Sequence, residues 1–203
     1  MIKNLIISSG GQEFFKQFSA IYTLIKNNFF QVDNIEKLYG TSAGSMISLL
    51  LSLKLDIDII YNYIIDRPWE KLFDIDTEKL FLSYNNNGIF NFELFKKCFE
   101  PLIKLTQLKD NFTFKDLYEY SGKKLCCFAT NCDTLESKEF SFAKTPNMDI
   151  LKSIYMSSSI PIMFIPLKYQ DIFYIDGVFS CKFPMYEFLK DNSGCNLDEI
   201  LGI

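Results

Sequence analysis

Gly40-Thr41-Ser42-Ala43-Gly44 decides the reading of this chain. The five residues spell G-x-S-x-G, the pattern of a nucleophile elbow, in which a serine sits on a sharp strand-to-helix turn with its oxygen presented outward. Gly40 and Gly44 answer a steric need: only a residue without a Cβ lets such a turn close and lets a substrate carbonyl approach the backbone. The flanks agree, since Lys37-Leu38-Tyr39 can end a strand and Ser45 to Leu53 is an apolar run suited to a buried helix. Taken alone, such a pentapeptide also arises as a glycine-flanked turn holding a chance serine. A second fact sharpens the reading. The chain contains no histidine, so a Ser-His-Asp triad cannot be built within it and a nucleophilic Ser42 needs another group to take its proton.

Outward from the elbow, an α/β pattern extends in both directions. Leu5 to Ser8 reads as a short buried strand, Ser9-Gly10-Gly11 as a loop, and Phe14 to Ile25 as a helix with apolar residues at 14, 18, 21, 24 and 25. Asp56 precedes a second apolar helix, Ile57 to Ile65, which stops before Arg67-Pro68. Asp74 to Asn91 is polar and asparagine-rich and reads as a loop. Phe92 to Leu105 is helical by spacing, with Pro101 expected to interrupt it. Thr113 and Asp116 are placed to cap a helix over Phe114 to Ser121, which Gly122 ends. Leu125 to Thr130 and Lys138 to Ala143 read as strands, Leu151 to Ser158 as a helix, and Phe173-Tyr174-Ile175 as a strand ending at Asp176-Gly177.

Bulk properties bound the function. At 203 residues, 48% of them hydrophobic, the chain can bury a real core, and its length favours one domain spanning 1–203. A net charge of −4, with Arg67 the one arginine, gives no electrostatic case for nucleic acid. The six cysteines form no C-x-x-C pair, and without histidine no zinc set is apparent, so they read as reduced thiols of an intracellular protein. The apolar part of Met1 to Ile7 is too short for a signal peptide, and no apolar run of about 18 residues could span a membrane. The expectation is therefore a cytoplasmic protein. Glu199-Ile200-Leu201-Gly202-Ile203 looks like the start of a buried strand, which suggests a domain truncated at its C-terminus or a minimal version of one.

Three elements stand at predicted strand ends: the Gly10-Gly11 loop, the Ser42 elbow and Asp176-Gly177. Ligand sites in open α/β sheets form at such carboxyl ends. By itself Asp176-Gly177 also reads as a hairpin turn. The ordered set, however, resembles the patatin-like phospholipase family, and most of all its forms from large DNA viruses. Leu5-Ile6-Ile7-Ser8-Ser9-Gly10-Gly11 resembles the family's first strand and oxyanion loop, Gly40 to Gly44 its elbow, and Ala129-Thr130-Asn131 the end of its central strand. Ser158-Ser159-Ile160-Pro161, Phe164, Pro166 and Tyr174-Ile175-Asp176-Gly177 follow its late block in order and spacing.

The resemblance covers nearly the whole chain. It implies a three-layer α/β sandwich with a central, mostly parallel sheet between helices, and a lipid acyl hydrolase working through a Ser42–Asp176 dyad. Ser42 would attack an ester carbonyl and form an acyl-enzyme, Asp176 would orient Ser42 and accept its proton, and N–H groups near Gly10 and Gly11 would hold the oxyanion. The substrate implied is a phospholipid or another fatty-acyl ester, met at a membrane surface, with no metal or organic cofactor. An ordinary aspartate, with a pKa of about 3.9, is a weak base at neutrality, and burial would improve it.

Departures from the family pattern support a second reading, a catalytically weak or inactive fold that binds lipid or a protein partner. Glu13 stands where the family loop carries a basic residue, Phe14 where it carries a glycine, and Val178 replaces a small residue. A third reading, a generic α/β hydrolase borrowing an external histidine, is remote. Phe90, Phe92, Phe95 and Phe99 read as a core face, as the cover of an acyl-chain pocket or as a contact with a lipid interface, Lys96 and Lys97 as solvated lysines or head-group contacts, and Trp69 as a packing anchor.

Overall fold

The computed structural model describes residues 1–74 and 87–203. Its centre is a sheet whose parallel core runs in the order β9 (Ile200–Gly202), β1 (Asn4–Ile7), β2 (Lys37–Thr41), β4 (Lys124–Asn131). Three antiparallel strands extend it: β5 (Ser137–Ser141) and β8 (Ile172–Asp176) pair with β4, and β7 (Leu167–Tyr169) pairs with β8. A separate two-stranded parallel pair joins β3 (Gly88–Phe90) to β6 (Ile162–Phe164).

Strand alternation sorts the core into two layers. Leu5, Ile7, Leu38, Leu125, Cys127 and Ala129 point to one face. There they meet α1 (Phe14–Lys26), α2 (Ala43–Ser52), α3 (Ile57–Asp66), α7 (Phe114–Ser121) and α8 (Ile150–Ser157). Ile6, Tyr39, Cys126 and Phe128 point to the other face, where Phe188 of α9 (Met185–Asp191) packs on them. The short helices α4 (Trp69–Leu72), α5 (Phe92–Lys97) and α6 (Glu100–Ile103) complete the helical elements among the described residues.

Several boundaries follow from residues visible in the sequence. Asp56 caps α3 by accepting the Asp58 N–H at 2.7 Å. Thr113 and Asp116 form a reciprocal capping box on α7, and Gly122 ends that helix at φ +73°. Pro101 splits the long helix expected over 92–105: α5 ends at Lys97, and Pro101 sits in the first turn of α6, where its missing N–H costs nothing. The expectation of a loop from Asp74 to Asn91 needs a correction at its end, because Gly88–Phe90 is a strand; positions 75–86 lie outside the described residues. No helix among the described residues is long and apolar enough to cross a membrane.

The register around β4 positions the site. β2 pairs with β4 up to Thr41 opposite Phe128, and β8 pairs with it from Asp176 opposite Ala129. β5 pairs with Cys126 to Thr130, so β2 and β8 must share the other edge of β4. The carboxyl end of β2 and the carboxyl end of β8 therefore meet head-on along one edge. Ser42 follows the first and Asp176 ends the second.

Candidate active site

Ser42 is held in an unusual backbone. Its φ of +54° and ψ of −121° lie where a non-glycine residue rarely sits, and it caps α2, which begins at Ala43. Such a conformation costs of order 1–3 kcal/mol and persists only where the surroundings enforce it. The glycines do part of that work. A Cβ on Gly40 would collide with the Gly44 carbonyl, and one on Gly44 with the carbonyl oxygens of Ile7 and Ser8. The elbow thus lies directly against the end of β1.

Ser157, the last residue of α8, does the rest and was not singled out from sequence. Its Oγ accepts the Ser42 N–H at 2.9 Å and donates to the Phe128 carbonyl at 2.6 Å, bridging elbow and central strand in a buried position. The available signal was the run Ser157-Ser158-Ser159 closing an otherwise apolar helix. Ser157→Ala strips both groups of their partner. We expect a loss of about 1–3 kcal/mol, read as a lower urea midpoint. An unchanged midpoint would show that the bridge is dispensable.

Ser42 Oγ donates to Asp176 Oδ2 at 2.6 Å, and the Val178 N–H donates to Asp176 Oδ1 at 2.8 Å. The Asp176 side chain is buried. Burial pushes its carboxyl up to about 6, against the opposing pull of the Ser42 hydroxyl and the Val178 N–H, which favour the carboxylate. The backbone beneath is equally tied: Asp176 N–H donates to the Ser159 carbonyl, and Thr130 Oγ1 donates to the Asp176 carbonyl. Gly177 has no room for a side chain, because a Cβ there would strike the Phe128 carbonyl. Asp176-Gly177 begins a 3-10 turn, Gly177–Phe179, rather than a hairpin.

The glycine loop closes the other side. Ser9, Gly10 and Gly11 border one cleft of about 300 Å³ together with Ser42 and Asp176. Gly11, at φ +50°, opens a 3-10 turn through Glu13. The first N–H groups of such a turn have no partner within it and are free to donate to a ligand. Gln17 pins the loop from α1, donating from Nε2 to Ser8 Oγ at 3.0 Å, and Ser9 N–H donates to the Lys182 carbonyl. Glu13 borders the cleft, but its half-exposed carboxylate pairs with Lys16 at 2.8 Å. Phe14 opens α1 and borders a different space, an apolar cavity of about 240 Å³.

The remaining candidates fall elsewhere. Phe90, Phe95 and Phe99 are buried in the core, with Phe92 packed against it. Trp69 anchors α4 on α3 by donating Nε1–H to the Ile64 carbonyl at 2.7 Å. Cys98, Cys126 and Cys127 are buried, and burial pushes the Cys98 and Cys126 thiols up to about 12, which leaves them inert. Among the described residues no group of three acidic or cysteine side chains is placed to hold a metal ion.

Fold and site define an α/β protein with a serine elbow facing an aspartate across the end of a central strand. The sequence profile of the patatin-like phospholipases matches residues 5–189, and the chain belongs to that family. It is 31% identical over 187 residues to "Probable lipid hydrolase 463L" of Invertebrate iridescent virus 6, covering 90% of this chain and 62% of that protein. It is 28% identical over 204 residues to an uncharacterized protein of Acanthamoeba polyphaga mimivirus, covering 100% of this chain and 65% of the relative. The chain thus spans less than two thirds of the length of these viral relatives. Among solved structures, VipD from Legionella pneumophila superposes with a TM-score of 0.70 at 18% identity, covering 99% of this chain and 49% of VipD. ExoU, in complex with SpcU from Pseudomonas aeruginosa, gives 0.54 at 16% identity, covering 79% of this chain and 38% of that one. These two likenesses concern the fold.

Proposed function

We propose that the protein hydrolyses a fatty-acyl ester of a lipid, a phospholipid or a related membrane lipid, through a Ser42–Asp176 dyad. The observation that carries this reading is the 2.6 Å hydrogen bond from Ser42 Oγ to a buried Asp176 carboxylate. A carboxylate raised to about 6 is ionised at neutral pH yet a better base than an ordinary aspartate. Ser42 Oγ attacks the ester carbonyl as its proton passes to Asp176 Oδ2. The N–H groups of Gly10 and Gly11 receive the developing oxyanion, with the N-terminus of α2 adding its favourable dipole. Asp176 then gives the proton to the departing alcohol and leaves an acyl-Ser42. Water gives a proton to Asp176 and attacks that ester, and Asp176 returns the proton to Ser42 Oγ as the acyl–oxygen bond breaks and the fatty acid leaves. Membership of the family and the name of the iridescent-virus relative support the lipid substrate.

The reading as a silent lipid or partner binder draws on Glu13, a carboxylate at the cleft edge. Its ion pair with Lys16 holds that charge toward solvent, which favours turnover. A serine-reactive fluorophosphonate followed by intact-mass analysis decides between them. We expect one adduct, lost in Ser42→Ala and strongly reduced in Asp176→Ala. No adduct on folded wild-type protein would leave the silent binder standing.

A further inference from the structure

Besides the buried Asp176, two ionisable side chains border the cleft, Glu13 and Lys182. Both oxygens of the Glu13 carboxylate lie against Lys16 Nζ, at 3.0 and 2.8 Å, so those two charges cancel on the spot. Lys182 is different. Among the described residues its ammonium has no hydrogen-bond or ion-pair partner, although the chain as a whole is acidic at net −4. Its backbone, in contrast, is tied on two sides. The Lys182 carbonyl accepts the Ser9 N–H at 2.9 Å, which joins it to the glycine loop. The Cys181 N–H just before it donates to the Gly177 carbonyl at 2.7 Å, which joins it to the turn after Asp176. The lysine stem therefore starts from the joint between the two limbs of the site, and the residue is exposed.

This cation does not serve the dyad. Burial, the Ser42 hydroxyl and the Val178 N–H set the Asp176 carboxyl, and no neighbouring ammonium is among the causes. A positive charge set back from the reacting atoms and still in water suits an anion that is attached to the ester yet stays hydrated. The phosphate of a glycerophospholipid meets both conditions: the glycerol carbons separate it from the acyl ester, and lysine serves phosphate as a point charge. A neutral glyceride gains nothing from such a group. We propose that Lys182 is the head-group contact of the cleft, pairing with the phosphate of a glycerophospholipid whose ester carbonyl lies at Ser42, and that it selects phosphate-bearing esters over neutral ones. The proposal rests on the reading of Ser42 as nucleophile.

Two esters short enough to stay monomeric, dihexanoyl phosphatidylglycerol and dihexanoylglycerol, test this without the attraction of a charged vesicle. The ratio of kcat/KM for the phosphatidyl ester to that for the uncharged one should fall about three- to fivefold in Lys182→Ala, the size of one exposed ion pair. In Lys182→Glu, where attraction becomes repulsion, it should fall about tenfold or more. The loss should appear in KM rather than kcat, and Lys182→Arg should restore the wild-type ratio. Salt at about 0.5 M should erase the wild-type preference. Any residue at 182 offers the same carbonyl to Ser9, so urea midpoints should not move. A readout without turnover comes from Ser42→Ala protein: glycerophosphoglycerol, the head group free of acyl chains, should shift the amide resonances of Gly10 and Gly11 saturably. That response should vanish in Ser42→Ala/Lys182→Ala. An unchanged ratio in both Lys182→Ala and Lys182→Glu overturns the proposal. So does a Lys182-dependent response to hexanoate in place of glycerophosphoglycerol, which would assign the ammonium to the product carboxylate. A saturable, Lys182-dependent head-group titration in a protein that hydrolyses neither ester would sink the hydrolase reading and keep Lys182 as a phosphate contact.

Discussion

Asp176→Asn protein should hydrolyse ester substrates about 10³- to 10⁴-fold more slowly than wild type and, at neutral pH, be the more stable of the two. The rate loss follows from removing the one base in contact with Ser42 among the described residues, a change of the size seen when a general base or the aspartate of a serine triad is neutralised. The stability gain follows from the cost of burying a charge. Asp176 ionises near 3.8 when unfolded and near 6 in the folded protein. Between those values the folded state keeps a proton that the unfolded state has released. Wild-type stability therefore falls as pH rises from about 4 through about 6 and is flat beyond. The total is of order 3 kcal/mol for a shift of roughly two units. Asparagine does not titrate, and its carboxamide still offers an oxygen to the Val178 N–H and a polar group to Ser42. Urea midpoints from pH 4 to pH 8 should slope for the wild type and lose that slope in the variant. The same ionisation sets activity: wild-type kcat/KM should climb through about pH 6 and then level. A flat rate profile from acid to alkaline pH, or full activity in Asp176→Asn, would remove Asp176 from the mechanism. The native arrangement thus keeps a destabilising carboxylate where the proposed chemistry needs it.

Gly44→Ala should lower the melting temperature by roughly 10 °C. The added methyl would fall on the carbonyl oxygens of Ile7 and Ser8, at the end of a central strand that is hydrogen-bonded on both sides. Neither carbonyl can withdraw without breaking the sheet end, so the substitution should cost about 3 kcal/mol, and each kcal/mol is worth about 2–4 °C in a domain of this size. Gly194→Ala is the matched control. Gly194 has φ +88° but open space around its would-be Cβ, so only backbone strain applies, about 1 kcal/mol. Equal melting temperatures for the two variants would show that close approach at Gly44 is not what the elbow requires.

Legibility varied with the range of the interaction. The Thr113–Asp116 cap, the stop at Gly122 and the break at Pro101 are local, decided by residues a few positions apart, and their helices lie where the sequence placed them. Strands of three residues, such as Ile162–Phe164 and Leu167–Tyr169, carry too few positions for a period to show, and their partners lie elsewhere in the chain. Helix α9 was missed because it begins at Pro184-Met185 without a capping side chain. Ser157 acts through contacts with Ser42 and Phe128, each far away in sequence, so the serine run that closes its helix marks the place but not the partners. Of the phenylalanines read as a core face or a pocket cover, Phe95 and Phe99 are buried in the core and border an apolar cavity of about 240 Å³.

Local chemistry determined that a serine elbow stands at residues 40–44, that none of these 203 residues is a histidine to serve it, and that strand, glycine loop and helix open an α/β layer. Those conclusions need only residue types and their near neighbours. What only the tertiary structure decided is the meeting of Ser42 with Asp176 across 134 positions. That meeting depends on one register, with β2 ending opposite Phe128 and β8 ending opposite Ala129 on the same edge of β4. Backbone hydrogen bonds between strands are blind to side-chain identity. A slip of one residue would turn each side chain to the opposite face, so the packing of both sheet faces, and no motif in either strand, selects the pairing that brings nucleophile and base within 2.6 Å.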